Sequence, residues 1–172
     1  MSLHGMKNRY AAAVAVSAVV ALAAVVLLAV TLLTSERGDG DGFIPPPFEA
    51  AAVAGTPDVP AELGYSRIYR EGMEFSAWVC GNPSFSGNAM TVYLTNPAEN
   101  NLWMKLRVLD AEGNILGETG LIRPGEYVER VALNRELVEG TEIQLKIMTY
   151  EPHTYYSAGA VSLRTRVGAS VD

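Results

Sequence analysis

The chain has 172 residues, with 19 acidic against 13 basic side chains and a net charge of −6. That acidic balance, with no Lys/Arg cluster, argues against nucleic-acid binding, and a single cysteine, Cys80, excludes an internal disulfide or a multi-cysteine metal site. Hydrophobic residues make up 49% but are concentrated near the N-terminus, so the length covers one small domain and an appendage.

Residues 11–33 hold nine Ala, seven Val and five Leu, interrupted only by Ser17 and Thr31. At about 1.5 Å per residue this run makes roughly 34 Å of helix, enough for a hydrocarbon core of about 30 Å. It is longer than the apolar core of a cleavable signal peptide, which runs about 7–15 residues, and no good A-x-A site follows it closely. An uncleaved signal anchor is therefore predicted. Lys7 and Arg9 precede the run, whereas Glu36, Arg37, Asp39 and Asp41 follow it. The positive-inside rule then makes 1–10 a cytoplasmic tail and places 34–172 outside, a single-pass arrangement in the plasma membrane.

Residues 34–62 contain five prolines and no periodic apolar face, the composition of a tether. Pro45-Pro46-Pro47 should form a short polyproline II rod. Asp39-Gly40-Asp41-Gly42 resembles a fragment of a calcium loop, but the twelfth position is Ala50, where an EF-hand needs a bidentate Glu. A solvated linker is expected.

From Gly64 onward the pattern changes to alternation. Phe75, Ala77 and Val79 suggest a first strand. Met90, Val92 and Leu94 alternate with Thr91, Tyr93 and Thr95. Leu102, Met104, Leu106 and Val108 alternate with Trp103, Lys105 and Arg107, and Asp110 to Asn114 makes a turn into a short strand at Ile115–Glu118. Tyr127 to Leu133 alternates weakly, Asn134 to Gly140 has room for one helical turn, and Ile143, Leu145 and Ile147 mark the clearest strand. Val161, Leu163, Thr165 and Val167 close the chain. About seven strands without an amphipathic helix predict an all-β domain over 63–172, an immunoglobulin-like or fibronectin-III-like sandwich preceded by one transmembrane helix.

Gly120-Leu121-Ile122-Arg123-Pro124-Gly125, followed by Val128, Val131, Leu133, Leu137 and Gly140, resembles small single-pass surface proteins of Gram-positive, clostridial-type bacteria. The resemblance covers roughly residues 88–167 and implies an Ig-like extracellular domain on a membrane anchor; it implies no activity.

The chemical inventory is thin. The histidines are His4, on the tail, and His153, in a turn without a nucleophile elbow beside it. Cys80 is most simply a small buried hydrophobe. No metal constellation, phosphate loop or cofactor motif is present, and an enzyme is not expected. Two surfaces invite a protein or glycan partner. One is the outward set Trp103, Lys105, Arg107 and Lys146, extended by Arg164 and Arg166. The other is the tyrosine cluster of Tyr150, Tyr155 and Tyr156 around Pro152. The expectation is a membrane-anchored envelope protein whose outer sandwich is a structural or interaction module. The alternative is an accessory or regulatory subunit of a membrane or secretion complex. Oligomeric state is not legible from the sequence.

Overall fold

The computed structural model describes residues 21–26 and 43–168. The chain divides into two compact units, Met1–Ile44 and Pro45–Asp172. In the first unit, 21–26 are helical. Among the described residues no helix is long and apolar enough to cross a membrane. The expected span at 11–33 lies outside the described residues apart from 21–26, as does the expected tail at 1–10.

The second unit is all-β. Its ten strands are β1 (Val53–Ala54), β2 (Tyr65–Ile68), β3 (Ala77–Cys80), β4 (Ser84–Ser86), β5 (Ala89–Asn96), β6 (Trp103–Leu109), β7 (Ile115–Glu118), β8 (Glu126–Ala132), β9 (Glu142–Tyr150) and β10 (Ser157–Arg166). A six-stranded sheet runs β1-β8-β5-β3-β2, with β4 also pairing β5, and a four-stranded sheet runs β10-β9-β6-β7. Every named strand pairing is antiparallel. One apolar core joins the inner faces: Ala77, Val79, Met90, Val92 and Leu94 from the first sheet meet Met104, Leu106, Val108, Leu145 and Ile147 from the second. These are the apolar members of the alternating runs, since a period of two puts every second side chain on one face. Three short strands, β1, β2 and β4, raise the count above the expected seven. Asn134–Gly140 forms bends and a turn, not the expected helical turn.

The expected linker at 34–62 also requires correction, because the compact unit begins at Pro45. Residues 47–49 run as a strap alongside the segment after β7, Phe48 pairing parallel with Leu121. The Leu121 amide donates to the Pro47 carbonyl at 2.9 Å, and the Glu49 amide donates to the Leu121 carbonyl at 2.8 Å. The Glu49 side chain adds a third tie, its Oε2 accepting from the Gly120 amide at 2.7 Å. The strap then continues into β1, which pairs with β8. Polar backbone this close to a core needs such partners, and the chain finds them by adding to existing elements.

Gly120 permits the strap. A Cβ at this position would stand 2.6 Å from the Glu49 nitrogen and 2.8 Å from the Phe48 carbonyl carbon, closer than real side chains approach. Gly120→Ala should therefore lift the strap, at a cost of about 1–3 kcal/mol typical of overpacking. Urea unfolding checks the cost, and limited proteolysis checks the strap, with new cleavage expected between residues 45 and 56.

Candidate functional site

The residues expected to form an open cationic face do share one face of the second sheet. Cross-strand register sets Trp103 opposite Tyr150, Lys105 opposite Met148 and Arg107 opposite Lys146. Their charges, however, are largely consumed within the fold. Lys105 is buried, and its Nζ lies 2.8 Å from Glu118 Oε1, while Arg107 reaches Glu118 Oε2 at 2.9 Å. Arg166, farther along the sheet, pairs with Glu142 at 2.7 Å. Lys146 is half-buried and Arg164 is exposed. Burial alone would raise the Glu118 carboxyl, but hydrogen bonds from Lys105 and Arg107, together with their charges, outweigh it and hold the group below the usual range.

Trp103 is covered from several sides. The Phe48 ring of the strap meets it edge-on at 4.8 Å, Tyr155 packs at 5.1 Å, and His153 approaches at 5.9 Å. His153 and Tyr155 both hold left-handed backbone, with φ of 68° and 60°, an uncommon state for residues with a Cβ. The β9–β10 turn thus brings Tyr155 over Trp103. The Arg123 guanidinium lies 3.7 Å above the Phe48 ring and extends the cluster by a cation–π contact. The two aromatic groups expected as separate surfaces therefore merge at Trp103 and Tyr155 into a single packed cluster, with Tyr156 left 70% exposed at its margin.

A different region has the geometry of a binding site. A concavity of about 550 Å³ opens on the outer side of the six-stranded sheet, lined by Gly55, Thr56, Tyr65, Trp78, Thr95 and Glu99 among others. Alternation explains the aromatic floor: Ala77 and Val79 turn into the core, so Trp78 turns out, and β2 pairs alongside it. The Tyr65 and Trp78 rings stack with centroids 5.4 Å apart and planes inclined by 27°, and both are half-buried. Tyr65 Oη and Thr95 Oγ1 are 2.6 Å apart, and Thr95 Oγ1 donates to the Tyr93 carbonyl at 3.3 Å. Burial raises the Tyr65 phenol above its ordinary value, against the Thr95 hydrogen bond that lowers it.

The wall of this concavity is fixed from below. Asn100 Nδ2 donates to the Ser76 carbonyl and to Asn96 Oδ1, each at 2.7 Å. Asn96 Nδ2 donates to the Leu102 carbonyl at 2.9 Å and the Ile122 carbonyl at 3.1 Å. The loop carrying Pro97, Ala98 and Glu99 is held between these two side chains. Gly125 stands beside this loop on the rim, its amide donating to the Asn96 carbonyl and its carbonyl accepting from the Gly55 amide, both at 2.8 Å. Gly125 has a φ of 79°, which a side chain would strain.

A smaller concavity of about 370 Å³ is lined by Asp110, Glu142, Arg164 and Arg166 among others. Its charges mostly answer one another, through the Arg166–Glu142 pair and through Arg135 on Asp110 at 3.3 Å. Cys80 lies fully buried on β3, and burial pushes its thiol up to about 12, so it is a poor nucleophile at neutral pH.

The chain matches no protein-family description, no curated protein and no solved structure.

The Glu118 knot has a measurable signature. Because its folded carboxyl titrates below its ordinary value of 4.5, its stabilisation is complete above that value and is lost as pH falls through the folded value. Glu118→Gln should lower stability at neutral pH and flatten the decline of the unfolding midpoint below about pH 5. A thermal-melt series across that window checks the slope.

Proposed function

We propose that the chain is a single-pass envelope protein, anchored by residues 11–33, whose outer domain is an Ig-like or fibronectin-III-like module that binds a partner and performs no catalysis. The observation that carries the interaction reading is the concavity floored by Tyr65 and Trp78. Aromatic rings left half-open in a preformed hollow, with a few polar groups around them, have the composition of a recognition site. The anchor and outward orientation rest on the uncharged 11–33 run and on Lys7 and Arg9 before it.

The alanine-rich run favours a second reading, an accessory subunit whose membrane helix carries the main contact, since small residues let helices approach closely. Exchange of 11–33 for an unrelated span separates the two. With a photoreactive residue at Ala98, on the concavity wall, crosslinking to an envelope component should survive the exchange if the outer domain is the module. Loss of the crosslink would favour the subunit reading. Orientation is checked by protease shaving of intact cells: release of the domain with 11–33 retained in the membrane is expected, and protection of the domain would reverse the topology.

A further inference from the structure

We infer that the Tyr65/Trp78 concavity binds a saccharide, a β-linked chain of pyranose rings with equatorial hydroxyls, one ring of which lies against the aromatic floor. This rests on the interaction-module reading and names the partner chemistry of the same site. Equatorial substitution turns the hydroxyls to the rim of each sugar and leaves its C–H faces flat and apolar. The half-open Tyr65 and Trp78 rings supply the matching surface.

The polar groups select among ligands that could use such rings. With the Thr95 hydroxyl proton on the Tyr93 carbonyl, the Tyr65 hydroxyl donates to Thr95 and keeps its own lone pair for an incoming donor. The carboxylate of Glu99 is exposed on the wall and adds two acceptor oxygens. The Trp78 indole N–H and the Thr56 hydroxyl add donors, so the site calls for a ligand that both donates and accepts hydrogen bonds, as a polyol does. A proline-rich peptide presents mainly carbonyl acceptors to an aromatic groove and is mismatched. An ammonium group also donates, but it would share this sheet face with the positive charge of Arg67, which stands opposite Trp78 in the β2–β3 ladder with its guanidinium donating to Ser76 Oγ at 3.1 Å and lying over the Tyr69 ring. The volume of about 550 Å³ lies within the range of small-ligand sites, and the Asn96–Asn100 bonds hold the wall before any ligand arrives.

The test is calorimetric titration of the full chain in a detergent without a sugar headgroup. The probes are cellohexaose, xylohexaose and N-acetylchitohexaose, with decaproline and a lysine-rich decapeptide as comparators. Binding of at least one saccharide is expected, weakened about tenfold by Glu99→Gln and by Trp78→Ala, and unchanged by Trp103→Phe. Glu99 is exposed, so Glu99→Gln reports on the site even where Trp78→Ala impairs folding. Failure of all three saccharides at millimolar concentration overturns the inference, as does saccharide binding indifferent to Glu99→Gln. Decaproline or the lysine peptide binding in their place overturns it too, yet leaves the module reading standing. The Ala98 crosslink judges that broader reading separately.

Discussion

The hydrogen-bonded pair of buried amides, Asn96 and Asn100, is the interaction on which the rest of the domain depends. Asn96 ends β5 in the first sheet, yet its Nδ2 satisfies carbonyls of Leu102 and Ile122, which flank β6 and precede β8. Asn100 turns back to the segment before β3, where the Ser76 amide donates to its Oδ1 at 3.2 Å. Two short side chains thus bond four backbone groups, from Ser76, Leu102 and Ile122. An apolar residue in place of Asn100 would strand the buried Ser76 amide and carbonyl, each at about 1–3 kcal/mol. Among the described residues no buried side-chain polar atom lacks a partner, so this polar knot is complete as well as central.

The same economy governs charge on the second sheet. Glu118 at the sheet edge answers both Lys105 and Arg107, which lets an ammonium sit in the fold with only 10% of its side chain exposed. A buried cation without that carboxylate would be costly, whereas the pair with its hydrogen bonds is tolerable. The consequence for recognition is that Lys105, Arg107 and Arg166 spend their charge within the fold, which leaves less of it for a partner. The aromatic floor on the opposite sheet is paired internally through the Tyr65–Trp78 stack and the Tyr65–Thr95 hydrogen bond, while both rings stay half-open.

Much of this architecture was legible in the sequence, for a definite reason. Met104, Leu106 and Val108 on β6 and Ile143, Leu145 and Ile147 on β9 alternate cleanly because each strand has one core face, and the structure buries those six residues. Alternation assigns a face, but it does not assign a neighbour. It put Lys105 and Arg107 outward without revealing Glu118, which arrives from β7 through pairing. Residues 45–62 carry too little period to register: β1 is two residues long, and the strap is held by two backbone bonds, the Glu49 side chain and the clearance at Gly120, none of which leaves an alternating pattern. The Tyr65/Trp78 site escaped for the same reason. Ala77 and Val79 implied an outward Trp78, but nothing local in Tyr65-Ser66-Arg67-Ile68 says that this segment will lie beside it.

The strap ties the start of the domain to a segment made much later, with Glu49 and Gly120 separated by 71 residues. A chain made from its N-terminus exposes residues 45–56 long before the partners on β8 and its preceding turn exist. Contacts so distant in sequence close late in folding, because loop-closure entropy is met before they give anything back. Gly55 and Thr56, which line the concavity, are fixed only when Gly55 finds the Gly125 carbonyl. The hollow is consequently finished among the last features of the domain, so that an immature chain carries an incomplete rim.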